Sequence, residues 1–294
     1  MEFTIHRAEV EKTFRDYTSA YNLNDAKVKL KVDHTFRVAA LSDVITDSLG
    51  MTGYDKDLAW LLGMLHDIGR FEQVRRYHTL RDAFSINHAK LSADILFRDG
   101  LISNFIIEEN NLSCEAGRPA DCKLQNKQDN CSLMCSSPSP SEDYLLIEKV
   151  IRLHNVFQLP DDLTERELRL ATILRDADKI DILRVNVENP RSAIYGVQED
   201  IFLQSEITDE VYEGILQCQN LNRSIMKTPA DLMVGHISFV FGLVYPVSVK
   251  LMKDQGYLET VLQFPSLNKQ TRQRFAEIRK VVHEYMEERI RENL

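Results

Sequence analysis

Residues 58–69 read LAWLLGMLHDIG, and this stretch decides how the rest of the chain is read. Leu58, Ala59, Trp60, Leu61, Leu62, Met64 and Leu65 are apolar on every side of a helix, so a helix buried all round is predicted from about Asp57. Gly69 stands where a C-terminal cap is expected. His66 and Asp67 close that helix. An ionised carboxylate at the end of a buried apolar helix is costly unless a cation or a donor compensates it. The last turn also exposes partly negative carbonyls, which favour a nearby cation. A bound metal meets both demands, whereas an isolated His-Asp pair reads more simply as a helix-end cap.

The pair is not isolated. His34 lies 32 residues upstream, in a predicted helix that carries Val38, Leu41 and Ile45 on the same face. Downstream, RDADKID (residues 175–181) falls in a predicted helix opened by a capping box, T-E-R-E from Thr164. Ala171, Leu174, Asp178 and Ile182 share one face of it. Two further histidines stand in apolar helical contexts: His88 in NHAKLSADIL and His154 in IRLHNVFQLP.

The order H…HD…D on separate helices resembles the HD phosphohydrolase superfamily over roughly residues 28–186. The resemblance implies an all-α helical bundle in which His34, His66, Asp67 and Asp178 hold a metal. Asp178 is chosen over Asp176 because the family pattern places an alanine before its aspartate, as Ala177 is here. His88 and His154 occupy the places where binuclear members have extra ligands, among them diadenosine-tetraphosphate hydrolases and HD-GYP cyclic-dinucleotide phosphodiesterases. In that reading Asp67 bridges two ions. His34, His66 and Asp178 complete one, His88 and His154 serve the other, and His66 and Asp67 form the catalytic core. HD-GYP proteins carry HDIGK and a downstream GYP; this chain has HDIGR and no GYP, which argues against cyclic-di-GMP as substrate.

Mixed imidazole and carboxylate ligation suits manganese, iron, cobalt or zinc better than calcium. Two such ions some 3.5–4 Å apart can activate a water and stabilise a phosphoryl oxygen. The segment RFEQVRRYHTLRDAFSINH adds Arg70, Gln73, Arg75, Arg76 and Arg81. Of these, Arg70, Gln73 and Arg76 are expected to orient a phosphate through forked hydrogen bonds. His78 is expected to be exposed or to support a ligand. His6, His236 and His283 are expected to be structural.

The whole chain is consistent with that picture. Its 294 residues are 44% hydrophobic and 28% charged, enough for one large domain or two modest ones. Residues 1–205 are expected to form the HD domain, and 206–294 a helical extension packed on it, ending in a helix whose buried side carries Phe275, Ile278, Val282, Tyr285 and Ile290. The net charge of −9 and scattered basic residues exclude a nucleic-acid duplex as main partner. A small anion remains compatible, because arginines and a metal reverse the local field in a cleft. No secretory signal is visible in MEFTIHRAEVEKTF, so a cytoplasmic location is expected. Residues 232–249 carry no Lys, Arg, Asp or Glu. His236, Ser238 and Pro246 interrupt the run, however, and it is expected to be core or an oligomer interface rather than a membrane span.

Four of the five cysteines, Cys114, Cys122, Cys131 and Cys135, sit in one segment rich in Ser, Pro and Asn. Their spacing lacks the paired knuckles of a zinc ribbon. Residues 109–143 are therefore expected to be a flexible surface insertion with reduced thiols. The leading reading is a phosphohydrolase that uses metal-activated water on a nucleotide or related small phosphate ester. Two alternatives stand beside it: a di-iron HD-type oxygenase, and a non-catalytic nucleotide-binding signalling domain.

Overall fold

The computed structural model describes residues 3–108 and 142–292, and these are all-α, as the sequence predicts. The cysteine-bearing insertion lies outside the described residues. Helices α1 (Arg7–Ser19), α2 (Ala26–Ser48), α3 (Tyr54–Leu65), α4 (Gly69–Tyr77) and α5 (His88–Ala93) precede it. After it come α6 (Glu142–Leu153), α7 (Glu165–Glu188), α8 (Arg191–Tyr195), α9 (Glu199–Gln204) and α10 (Asp209–Leu216). The chain ends with α11 (Pro229–Ile237), α12 (Pro246–Asp254), α13 (Tyr257–Leu262) and α14 (Lys269–Arg291). Among the described residues the only sheet is a short antiparallel ladder pairing Phe3 with Glu108 and Thr4 with Ile107.

Local chemistry sets the long helices. Asp25 accepts a hydrogen bond from Lys27 N at the start of α2, and Thr164 with Glu167 forms the expected capping box of α7. α3 is buried from Leu58 to Leu65, as its apolar surround demands. α2 and α3 approach closely at Gly63, where a Cβ would stand 2.7 Å from Ala39 Cα. That approach seats the end of α3, which His66 follows, against the middle of α2, which carries His34.

Two boundaries differ from expectation. Gly69 does not cap α3; it opens α4 after the tight turn through His66–Ile68. Its lack of a side chain serves a different end. A Cβ there would lie 2.6 Å from Ser92 N and 3.0 Å from His88 O, so α5 packs on α4 only because this position is bare. Gly69→Ala is expected to force α5 outward and to cost about 1–3 kcal/mol as overpacking, read as a lower midpoint in urea unfolding. An unchanged midpoint would mean that α5 yields without strain. The second boundary is that of the insertion. Glu142 and Asp143 already belong to α6, and Asp143 is buried and paired with Arg166 of α7.

α7 is the hinge of the architecture. One side packs on α2, α3 and α6, the other on α11, α12 and α13. Asp176 accepts from Val244 N at 3.0 Å and Tyr245 N at 3.1 Å, while Lys179 donates to Gly242 O at 2.5 Å. The charge-free run thus becomes the end of α11, a tight turn and the start of α12, with Met233, Val234, Ile237, Val240, Leu243 and Val249 in the core. No helix of the described residues is long and apolar enough to cross a membrane.

His236 sits within this packing as a structural residue. It accepts at Nδ1 from Asn186 Nδ2 at 2.8 Å and lies 3.1 Å from the Tyr195 hydroxyl. Burial, with a contribution from Arg223, pushes its pKa down to about 4. A histidine held neutral in the fold but free to charge when unfolded makes the unfolded state bind more protons below its unfolded pKa. Its contribution is therefore present above about pH 6.5 and is lost as pH falls toward 4. Between about pH 7 and pH 5, His236 is expected to account for roughly 2 kcal/mol of lost stability. Denaturant unfolding of wild type and His236→Asn at the two pH values checks this; equal slopes in both proteins would refute it.

Candidate metal centre

Four imidazoles and two carboxylates meet where α2, the α3–α4 turn, α5, the end of α6 and the middle of α7 converge. All are buried except Asp178, whose side chain is 17% exposed and marks the open side. They form two ligand groups, His34 with His66 and Asp178, and Asp67 with His88 and His154, each able to hold a metal ion. His34 Nε2 lies 3.1 Å from Asp178 Oδ1, and His66 Nε2 lies 4.0 Å from the same oxygen.

Asp67 stands between the groups and turns one oxygen to each. Its Oδ2 is 3.6 Å from His34 Nε2 and 3.4 Å from His66 Nε2. Its Oδ1 is 3.7 Å from His88 Nε2 and 3.8 Å from His154 Nε2. Those last two nitrogens are themselves only 3.0 Å apart.

The outer nitrogens explain the inner ones. His34 Nδ1 contacts Asp181 Oδ2 at 2.6 Å, His66 Nδ1 contacts Gly63 O at 2.8 Å, His88 Nδ1 contacts Asp82 Oδ2 at 2.6 Å, and His154 Nδ1 contacts Ile151 O at 2.8 Å. Each outer nitrogen donates to an oxygen, which leaves each Nε2 as a lone-pair donor facing inward. His34 Nε2, His66 Nε2 and Asp67 Oδ1 are buried without a hydrogen-bond partner. Such orphans are costly, and divalent cations at the two groups would satisfy all three. The donor set fits a transition metal.

The charges agree. Burial opposes ionisation of Asp67, yet Lys31, His66 and Arg70 outweigh it and hold its carboxyl well below the usual range. Lys31 Nζ lies 2.6 Å from Oδ2. Burial likewise opposes ionisation of Asp178, but His34 and His66 draw its pKa far down. His154 is pushed down to about 3 by burial and by its neighbours His88 and His66, so it stays neutral with a lone pair to offer. His88 is lowered by burial and Arg70.

Around the cluster is a layer that sequence reasoning missed. Asp181 is gripped by Arg37 through Nε at 2.5 Å and Nη2 at 2.9 Å. Asp82 takes bonds from Arg70 Nη1 and Gln73 Nε2, both at 3.0 Å. Arg175 donates to the carbonyls of Leu153, His154, Val156 and Phe157 and thereby fixes the loop bearing His154. The helical offsets were available: Lys31 and Arg37 lie one turn either side of His34, and Asp181 one turn beyond Asp178.

The three residues expected to orient phosphate divide. Arg70 stays beside the cluster, its Nε 3.4 Å from Asp67 Oδ1. Gln73 is fully buried and its amide is used within the protein, accepting from Arg70 and donating to Asp82, Ser85 and Ile86. It braces the His88 loop. Arg76 pairs with Glu72, which also binds Arg75 at 2.5 Å, and its side chain is 55% exposed. Steps of three along a helix drift by about 60° each, so two steps carry Arg76 off the face shared by Arg70 and Gln73. His78 ends α4 in the left-handed region with φ 54°, exposed. His6 precedes α1 and His283 pairs with Glu259, both away from the cluster.

No curated protein and no solved structure matches the chain. The HD domain family model matches residues 32–183, which is 152 of the 294 residues and includes all six clustered side chains. The chain therefore belongs to the HD-domain family, whose members are generally metal-dependent hydrolases.

Proposed function

We propose that this protein is a phosphohydrolase with two divalent transition-metal ions sharing Asp67, acting on a nucleotide or a related small phosphate ester. The observation that carries the reading is the carboxylate of Asp67, with one oxygen facing His34 and His66 and the other facing His88 and His154. In this reading His34, His66 and Asp178 hold one ion and His88 with His154 the other. When bound, the ions supply Lewis acidity, activating a water and neutralising charge on a phosphoryl oxygen.

The chain's own residues do the rest. The Nδ1 partners orient the four imidazoles ahead of any ion. Lys31 and Arg70 flank Asp67 with side chains 11% and 13% exposed, and positive charge beside the cluster supports an anionic ester as substrate. That cationic flank favours phosphate ester hydrolysis over the oxygenase alternative.

The test is elemental analysis of protein purified with and without air, followed by a hydrolysis screen over nucleotides. Two metals per chain and metal-dependent release of phosphate or nucleotide product are expected. Oxygen consumption with iron, and no hydrolysis under any metal, would replace this reading with the oxygenase one.

A further inference from the structure

Beyond the metal centre, a cavity of about 390 Å³ lies between the C-terminal end of α7, α8, α11 and α13. Among the described residues, no member of the metal cluster lines it. Its size is that of a small-molecule site, and it lies where the HD core meets the C-terminal helices, a common place for one. Asn186 on its wall lies eight residues beyond Asp178 on α7, roughly 12 Å along the helix axis.

The lining has a definite chemistry. Asn186 gives its Nδ2 to His236, and Asn189 gives its Nδ2 to Val185 O at 2.8 Å. Each amide is thereby oriented, and each offers its Oδ1 as an acceptor. Because burial keeps His236 neutral, its Nδ1 holds Asn186 in that orientation. Phe264 also lines the cavity, its ring 6% exposed, with the Arg191 guanidinium 5.1 Å above its centroid and the rings of Phe202 and Phe275 each 5.4 Å away. Arg191 also pairs with Glu199, and the two side chains are 30% and 52% exposed. A planar cation resting on an aromatic ring covers a surface on which another planar π system can stack once the cation moves aside. The pairing with an exposed carboxylate marks a guanidinium that an incoming phosphate could recruit.

We propose that this cavity is a second ligand site that binds a nucleoside monophosphate and reports its occupancy to the metal centre through α8. The base stacks on Phe264 and presents amino groups to the oxygens of Asn186 and Asn189. Arg191 leaves both Glu199 and the Phe264 ring for the phosphate, and the base takes its place on the ring.

The route to the metal centre is short. Arg191 and Tyr195 on α8 line the cavity, and Gly196 directly follows with φ +68°. A Cβ on Gly196 would stand 2.8 Å from Arg81 Nη1, so Arg81 is packed against the end of α8. The next residue, Asp82, holds His88 Nδ1, Arg70 and Gln73. A shift of α8 therefore bears on the loop that orients one imidazole of the cluster.

Calorimetric titration of the full chain with AMP, GMP and UMP tests the site, alongside adenosine as the phosphate-free probe. It is run on wild type and on Asp67→Asn, in which the metal centre is disabled. At least one nucleotide should bind both proteins alike. Arg191→Gln should weaken that binding roughly tenfold, as should removal of the phosphate, and Glu199→Gln should strengthen it severalfold by freeing Arg191. Opposite effects from the two halves of one ion pair cannot come from a shared loss of fold. Hydrogen exchange should slow on binding at residues 189–196 and also at 81–85.

Loss of binding in Asp67→Asn, with binding intact in Arg191→Gln, would place the nucleotide at the metal centre and overturn the proposal. So would no binding of any nucleotide at concentrations of about 1 mM. Protection confined to 189–196 would overturn the link to the metal centre. None of these readouts depends on the protein being a phosphohydrolase.

Discussion

Asp67→Asn is expected to lose bound metal and hydrolysis together while keeping its helical circular-dichroism spectrum. Asp67 is the one side chain that faces both ligand groups, so neutralising it weakens each. The amide keeps the shape and can still accept from Lys31, which lies 2.6 Å from the carboxylate. Complete removal of the side chain would instead strand a buried ammonium, at a cost of about 3–5 kcal/mol. Metal per chain should fall toward zero, and the rate by at least about 100-fold, beyond the ~10–100-fold expected when only an outer partner of a ligand is lost. His78→Asn is the matched control, because His78 is exposed and its left-handed backbone tolerates asparagine. Arg76→Ala is a second control, since Arg76 pairs with Glu72 away from the cluster. Metal content and initial rate are measured side by side on the three variants. Full activity in Asp67→Asn would defeat the metal mechanism.

The second large effect concerns Asp82. This single carboxylate receives His88 Nδ1 at 2.6 Å and bonds from Arg70 and Gln73, and burial is outweighed by His88 and Arg70 so that its pKa lies far below normal. Asp82→Ala removes all of these at once. His88 loses its fixed tautomer, and Arg70 is left short of a partner. The ion at His88 and His154 should bind about 10–100-fold more weakly, while the ion at His34, His66 and Asp178 should be retained. Asp181→Ala should do the reverse, because Asp181 supports His34 through the same kind of bond and is itself held by Arg37. A metal titration of both variants checks the pairing. Equal loss of both ions in each variant would mean that the two groups do not behave as separate sites.

The sequence carries the inner layer of the cluster well because inner ligands are chemically demanding. His, Cys, Asp and Glu are the commonest side-chain ligands of such metals, so His34, His66, Asp67, His88, His154 and Asp178 stand out even when far apart in the chain. The outer layer is less legible. Arg37, Asp82, Asp181 and Arg175 are ordinary surface types, and only the fold shows that Arg37 meets Asp181 and that Arg175 gathers four carbonyls. Arg76 was misread for a related reason: a basic run names candidates for an anion but not the face each occupies. Gly69 was misread because a glycine after a helix has two uses. A cap needs its backbone freedom, whereas a close crossing needs its missing side chain, and the crossing partner Ser92 lies 23 residues away. Helix identities survived better, because Leu58–Leu65 and the Thr164 box signal through neighbours in the chain.

α7 carries a cluster aspartate on one side and the C-terminal helices on the other, with Asp176 and Asp178 only two residues apart. Asp176 is buried, and its hydrogen-bond donors Val244 and Tyr245 lie 68 and 69 residues beyond it in the chain. The segment that defines family membership ends at residue 183, so it stops short of the groups that satisfy its own helix. A chain cut after residue 205 would leave Asp176 as a buried acid without its amide donors and Lys179 without Gly242 O, and would open the apolar flank of α7 to water. Inheritance and autonomy therefore have different borders in this molecule. The unit that can be recognised leaves out groups that satisfy its own helix, and a transplant of the metal centre into another protein is expected to need the C-terminal helices with it.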